Sequence, residues 1–331
     1  MIQNADRAGR GSMPRLFKNK VRHDVMSAIC PDSDGVAVAQ IRRDKDLPPV
    51  LQSCRFQSLE PGQSEASLLD DLADEFELDR TPCVSLAGVG DYSLLMVEAP
   101  DVQPDELRAA VRWRIKDLID FHIDDAVVDV FEIPDTKAAG RNRMMYAVVA
   151  RSAVVKGNIE ELLDAGVNLT VIDIPELALR NIAALLPEDA SGVALLYIGE
   201  ERGLITITRQ STLYLSRRIE KGVNTLPETA MHSGDPDIVE PWLDSIIVEV
   251  QRSLDYYESH FAQPQVSGIV IAPLYREVPG LEAYIAEQLE IPTRILDVNT
   301  LIDASEPVEP RVQSECLLAI GAALRQESRT L

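Results

Sequence analysis

The sequence predicts a mixed α/β protein of two halves, with a further α/β unit inserted into the first. Three observations lead there. Segments of strand and helix period alternate between Leu95 and Leu186, as βα-type units do. A meander of three short strands occupies residues 193–219, joined by turns at 199–202 and 210–211. A long amphipathic helix and an apolar strand follow it, so the second half repeats the strand-turn-strand opening of the first. The 331 residues can bury the cores of two domains, and an apolar content of 46% argues against disorder despite a net charge of −22.

In chain order, residues 1–22 read as a basic arm. Residues 1–23 hold Arg7, Arg10, Arg15, Lys18, Lys20 and Arg22 against Asp6 alone. Residues 23–84 read as the first subdomain. Strands at 25–30 and 35–42 flank Pro31-Asp-Ser-Asp34, which is turn chemistry, and a strand follows at 50–56. Residues 67–78 read as a helix with Leu68, Leu69, Leu72 and Phe76 inward, and 82–86 as a strand. Residues 85–165 form the inserted unit and 166–190 return to the first half. Here a helix at 154–165 stops at Gly166, a strand covers 170–174, and a helix at 176–186 ends before Pro187. Residues 191–331 read as the second half. Beyond the meander come a helix at 241–261, an apolar strand at 268–272, a helix at 281–289, a strand at 293–296 and an apolar helix at 316–324.

The inserted unit has the most distinctive pattern. Pro104 suits the first position of a helix, and Asp105 and Glu106 suit its positive end. Leu107, Ala110, Val111, Ile115, Leu118 and Ile119 then mark one buried face of a helix over 105–119. Arg108, Arg112 and Lys116 are spaced by four and form a stripe, with Trp113 and Arg114 alongside. In so acidic a chain this stripe is a candidate contact for a carboxylate-bearing partner. A solvated helix face is the plainer reading. The run 126–133 reads as a strand and includes Val128 and Val130.

Composition excludes several classes of function. Phosphate-backbone binding needs basic surface, so nucleic acid is not an expected ligand. Cys30, Cys54, Cys83 and Cys316 are scattered, with no Cys-x-x-Cys, and read as free thiols in a reducing cytoplasm. The four histidines lack metal-ligand spacing, so no metal is expected. No nucleophile elbow or Gly-Lys-Thr loop occurs. No apolar run approaches the ~20 residues of a membrane span.

Long motifs carry a resemblance. Glu98-Ala-Pro, Asp105-Glu-Leu-Arg-x-Ala-x-Arg-Trp-x-Ile-Lys-Asp-Leu-Ile-Asp-Phe121 and Ala126-Val-x-Asp-Val-Phe131 are three of them. Val171-Ile-Asp-Ile-Pro-Glu-Leu-Ala-Leu-Arg-Asn181 and Gln251-Arg-Ser-Leu-Asp-Tyr-Tyr-Glu-Ser-His-Phe261 are two more. From about Arg15 onward the chain resembles the PilM-like biogenesis proteins of MSHA-type type IV pili, the MshI family. The resemblance implies an actin-like (FtsA/PilM-like) two-half fold with an inserted subdomain. It implies a cytoplasmic protein, peripheral at the inner membrane, that binds the short cytoplasmic tail of a single-span PilN-like protein. A pilus assembly ATPase is a further implied partner, and membrane contact is indirect. The candidate tail site lies in the insert: Arg108, Arg112, Trp113, Lys116, Val128 and Val130.

Actin-like ATPases hold phosphates between two glycine-bearing hairpins and adenosine on a Gly-Gly turn, where backbone N–H groups must approach the ligand. In PilM-like proteins the first hairpin resembles Ile-Asp-x-Gly-Ser-Ser. The matching run here is Ile29-Cys-Pro-Asp-Ser-Asp34, with Cys30 at the aspartate and Asp32 at the glycine. Asp32 and Asp34 add charge that repels phosphate. The second hairpin should resemble Val-Asp-Ile-Gly and reads Leu196-Tyr-Ile-Gly199, with Tyr197 at the acid and Glu200 and Glu201 following Gly199. At the adenosine turn stand Pro273 and Leu274. Proline offers no N–H and leucine blocks close approach. The expectation is a protein without nucleotide or other cofactor, acting by binding and not as an enzyme. An ATPase with divergent loops is one alternative. A type II secretion subunit of the GspL kind is another; it carries a membrane span after the fold, whereas the chain as read ends at Leu331.

Overall fold

The computed structural model describes residues 21–32, 34–44, 47–133, 143–227 and 235–326. The expected basic arm lies, up to residue 20, outside the described residues. So do most of residues 135–143 and part of residues 227–240, which read from sequence as polar loops.

The first half opens with β1 (Val25–Asp32), β2 (Gly35–Arg42) and β3 (Val50–Ser58), an antiparallel meander. Helix α1 (Glu65–Glu75) starts where Ser64 accepts a hydrogen bond from Ser67 N at 3.2 Å, and it buries Leu68, Leu69 and Leu72. It ends before residue 78, and Phe76 serves as its C-cap, half-buried. Strand β4 (Cys83–Leu86) runs parallel to β1.

The chain then leaves for the insert, built from β5 (Tyr92–Glu98), α2 (Leu107–Ile115), β6 (Ala126–Glu132) and β7 (Met144–Arg151). Its sheet order is β5-β7-β6, antiparallel throughout, so the insert contains no parallel βα unit. Helix α2 is shorter than its periodicity suggested. It begins at Leu107, three residues beyond Pro104, and ends at Ile115. Leu118, expected inside, is 60% exposed. Only Val111 and Ile115 are fully buried; they pack on Val97, Val130 and Met145. Beyond the helix the chain changes direction, so Leu118 turns to solvent while Ile119, Phe121 and Ile123 pack half-buried against the same core.

Return to the first half is through α3 (Ser152–Asp164), β8 (Leu169–Asp173) and α4 (Pro175–Ala183). Gly166 takes φ +79°, the left-handed stop expected after α3. Strand β8 joins β4 in parallel.

The second half comprises β9 (Val193–Ile198), β10 (Gly203–Arg209), β11 (Thr212–Ile219) and α5 (Pro236–Phe261). Then come β12 (Gly268–Ile271), α6 (Leu281–Leu289), β13 (Thr293–Ile295), α7 (Val298–Leu301), β14 (Asp303–Ala304) and α8 (Pro310–Ala323). Its sheet order is β11-β10-β9-β12-β13, and α5 and α6 pack against it through Leu243, Ile246, Leu254, Tyr257 and Ile285. Helix α5 starts five residues earlier than expected, at Pro236, and carries Pro241 inside its first turns. Pro241 is the sixth residue of the helix, so the proline removes the hydrogen bond that an N–H at 241 would make to the carbonyl of Asp237.

The last segment does not stay with the second half. Strand β14 pairs with β3, giving the first sheet the order β14-β3-β2-β1-β4-β8. Helix α8 lies on that sheet beside α4, burying Cys316, Leu317 and Ile320 with Ile41, Leu179 and Ile182. The two helices approach closely because residue 321 is glycine. A Cβ there would stand 2.4 Å from Ala178 O. Asn181 Nδ2 donates to Gly321 O at 2.9 Å across the same contact.

Candidate functional site

The two halves meet at a cleft of about 760 Å³. The altered loops noted in the sequence converge there: Asp32 and Asp34 from the β1–β2 turn, Tyr197 and Gly199 from the β9–β10 turn, and Pro273 after β12. Each sits at the end of a strand whose register brings it inward. Strand β9 runs between β10 and β12, and β1 between β2 and β4, so both central strands point their C-terminal ends at the cleft.

The local geometry differs from a phosphate cradle. Gly199 N–H donates to Arg202 O at 2.9 Å, so the turn uses that donor itself. A Cβ at Gly199 would lie 3.3 Å from Tyr197 Cε1 and 3.5 Å from its hydroxyl, which places the Tyr197 ring over the glycine. The tyrosine therefore occupies the approach that glycine would otherwise open. Burial pushes the Tyr197 phenol up to about 12, helped by Asp32, Glu200 and Asp34 nearby, so it stays neutral. Cys30 is buried behind the first turn, and burial pushes its thiol up to about 12.

Among the described residues the walls carry Asp32, Asp34, Glu200, Glu201, Glu220 and Glu315, and one cation, Arg202. Arg202 is paired with Glu220 at 3.2 Å. Asn224 Nδ2 donates to Glu201 Oε1 at 3.0 Å and to Glu200 Oε2 at 3.3 Å, tying both acids to the loop that follows β11. The cleft thus concentrates negative charge, which disfavours a polyanion. Leu274 lies elsewhere. It lines a groove of about 840 Å³ beyond Pro273, facing the first turn of α6. Its expected role as a block in the cleft is not what the structure assigns to it.

The insert corrects the expected stripe. Arg112 does not face solvent as a free cation. Its Nη1 donates to Ala126 O at 2.9 Å and its Nη2 to Ile123 O at 2.5 Å, so it holds the turn that enters β6. Arg108 pairs with Asp129 at 3.3 Å and Arg114 with Glu98 at 3.4 Å. The compensating acids come from neighbouring strands, where helical spacing could not reveal them. Lys116 stands 5.4 Å from the centre of the Trp113 ring, which is 73% exposed. Val128 and Val130 are buried under α2, and the outward positions on β6 are Val127 and Asp129. Alternation along the strand decides this. Among the described residues β6 is also an edge of its sheet.

One arrangement escaped the sequence reading. The Tyr92 hydroxyl of β5 donates to Glu176 Oε2 of α4 at 2.5 Å, and the Arg218 guanidinium of β11 lies 5.0 Å from the centre of the Tyr92 ring. Burial raises the Glu176 carboxyl above its ordinary value, against the lowering effect of the Tyr92 hydrogen bond. The contact ties insert, first half and second half together. Tyr146 on β7 adds to it, donating to Tyr214 O and accepting from Ser216 N, both at 3.2 Å. Glu176 stands within the long motif 171–181, but nothing in that motif indicates its partners.

Two halves with related sheets, a cleft between them and an inserted subdomain define a protein of the actin-like fold. Within that class the fold is PilM-like. Residues 219–327 match the family described as type IV pilus assembly protein PilM. A solved structure of a PilM-PilN type IV pilus biogenesis complex superposes with a TM-score of 0.70 at 19% identity, covering 90% of this chain and 97% of that one. The cytoplasmic domain of EpsL, an inner membrane component of the type II secretion system of Vibrio cholerae, gives a TM-score of 0.50 at 12% identity, covering 92% and 96%. No curated protein sequence matches the chain. Among the described residues, no helix is long and apolar enough to cross a membrane, and no group of three or more His, Cys, Asp or Glu side chains is arranged to hold a metal ion.

Proposed function

We propose that this protein is a non-catalytic component of the inner-membrane platform of a type IV pilus of the MSHA type, and that it binds the cytoplasmic tail of a single-span PilN-like protein. The observation that carries the reading is the PilM-like fold combined with a cleft whose turns are in place but whose chemistry has changed. Gly199 has given its N–H to the turn, Tyr197 covers it, and carboxylates line the walls. PilN, the protein bound to PilM in the similar solved complex, supports the choice of partner class. The motifs around Arg112 and Trp113 support the MSHA assignment. The free edge of β6 suits an extended tail, which would add beside it as a further strand. Exposed Trp113 on α2 offers an apolar anchor for that tail.

Calorimetry with magnesium–ATP tests the non-catalytic part. No binding is expected tighter than about 1 mM, which corresponds to only about −4 kcal/mol. Micromolar binding at the cleft would restore the ATPase reading. Capture by an immobilised PilN-like tail tests the partner part. Trp113→Ala should weaken capture while the melting temperature holds. Unchanged capture would move the tail site off this surface, and capture by a GspL-type partner in place of the PilN-like tail would favour the secretion alternative.

A further inference from the structure

Helix α8 packs on β1, β2 and β3 of the first sheet. Strand register decides what lies beneath it. Cys54 on β3 stands opposite Ala39 on β2, and Ala39 opposite Ala28 on β1. Two residues along, on the same face, the row is Phe56, Ala37 and Cys30. The middle strand thus offers only methyl groups, and the helix settles close on the sheet. Cys316 of α8 is fully buried in this core, and Cys54 packs half-buried against it.

The two sulfurs differ in access. Cys54 lines a groove of about 530 Å³ together with Val312 of α8. Cys316 follows Val312 by one helical turn on the same side of the helix and lies in the core. The Cys316 thiol donates a hydrogen bond to the Cys54 sulfur. That bond holds the Cys54 thiol below its ordinary value against the opposing effect of burial, and it joins with burial to raise Cys316. Cys54 is therefore the sulfur that ionises first, and the thiolate is the reactive form. Burial raises Cys30 and Cys83, which are the remaining thiols. A reachable sulfur in contact with a buried one is the arrangement of an attacking thiol and its resolving partner. Among the described residues the charged side chains lining the groove are Glu306 and Glu309. They disfavour an anionic oxidant such as glutathione disulfide and leave a small uncharged hydroperoxide as the suitable one.

We propose that Cys54 and Cys316 are a peroxide-responsive thiol pair, in which hydrogen peroxide oxidises Cys54 through the groove and Cys316 resolves the product to a disulfide within the chain. The Cys54 thiolate attacks one peroxide oxygen and the O–O bond breaks. The departing hydroxide takes a proton and leaves as water, and Cys54 is then a sulfenic acid. The Cys316 sulfur attacks the Cys54 sulfur, the S–O bond breaks, and the departing hydroxide takes the Cys316 proton as a second water. Two thiols lose two electrons in all, and one peroxide is reduced to two waters. The bond ties α8, which follows the whole second half, to β3 of the first sheet. In a reducing compartment such a bond is transient and serves as a signal.

The experiment treats the reduced full chain with hydrogen peroxide, blocks remaining thiols with N-ethylmaleimide, and reads the digest by mass spectrometry. A peptide joining Cys54 to Cys316 should appear and vanish with dithiothreitol. The oxidised chain should melt several degrees higher than the reduced one, because the bond closes a loop of most of the chain. Cys316→Ala should stop at the Cys54 sulfenic acid, trapped with dimedone, and Cys54→Ser should give neither product. Cys30→Ala should leave the cross-link unchanged. Glutathione disulfide at the same concentration should form it at least roughly tenfold more slowly, since the groove carboxylates repel it. The parent chain alone decides the cross-link, and melting curves check that each variant is folded. Oxidation of Cys54 to the sulfinic acid without a cross-link to Cys316 overturns the proposal. So does a cross-link to Cys30, or one that joins two copies and falls away on dilution. Glutathione disulfide acting as fast as peroxide overturns the assignment of the oxidant.

Discussion

Replacing Arg112 should weaken the inserted subdomain far more than replacing Arg108, although both belong to one helical stripe. Arg112 donates to two backbone carbonyls, Ala126 O at 2.9 Å and Ile123 O at 2.5 Å. Hydrogen bonds from a charged donor contribute about 1.5–3 kcal/mol each, and the half-buried position favours the lower end. Arg112→Met keeps the aliphatic packing and removes both bonds, so a loss of roughly 2–3 kcal/mol is expected. Arg108 makes one exposed pair with Asp129 at 3.3 Å, the two side chains being 42% and 59% exposed. Such a pair is worth about 0.2–1 kcal/mol. At about 2–3 °C per kcal/mol for a chain of this size, Arg112→Met should melt roughly 4–9 °C lower and Arg108→Met at most ~3 °C lower. Thermal melting followed by circular dichroism measures both, and hydrogen exchange at β6 and β7 locates the loss. If Arg112→Met leaves the melting temperature unchanged while Arg108→Met lowers it, the assignment of Arg112 to the interior of the insert is refuted.

Other variants probe the packing and the buried charges. Gly321→Ala would set a Cβ 2.4 Å from Ala178 O and force α4 and α8 apart, so urea unfolding should show a loss of about 1–3 kcal/mol, with an unchanged midpoint contradicting the close contact. Glu176 has its carboxyl raised above the ordinary 4.5, chiefly by burial, so the folded state holds that proton more tightly than the unfolded chain does. Its contribution is complete below the ordinary value and is lost as pH rises through the raised one. Glutamine cannot ionise and still accepts from Tyr92, so Glu176→Gln should gain stability relative to the parent at about pH 8 and lose that advantage by about pH 4. An advantage that grows toward acid pH would reverse the sign of the argument. Gly222→Ala would bring a Cβ to 2.2 Å from Glu200 O at the rim of the cleft, and a fall in melting temperature of several degrees is expected, on the order of 2–3 °C per kcal/mol.

Local pattern was enough for most elements. The strand period and turn residues around Pro31-Asp-Ser-Asp34 located β1 and β2, and helix period located α6 to the residue. The altered loops were equally legible, because a glycine replaced by aspartate or by proline changes what the backbone offers wherever the loop is placed. That these loops share one cleft depended on sheet order, which no local pattern contains.

Helical spacing revealed that Arg108, Arg112 and Lys116 share a stripe. It could not reveal that Asp129 and the carbonyls of Ile123 and Ala126 wait on another strand. Ion pairs and hydrogen bonds between elements join residues far apart in the chain, and their partners are chosen by packing. The same holds for the Glu176–Tyr92–Arg218 contact, whose members come from three parts of the molecule. The sequence by itself determined which segments fold as strands and helices, and which loop residues depart from the glycine-bearing hairpins of the family it resembles, since both follow from residue type and short-range spacing. Only the tertiary structure decided which charges are free, which valines face outward and where the last helix packs, since burial belongs to the assembled layers and not to any one segment.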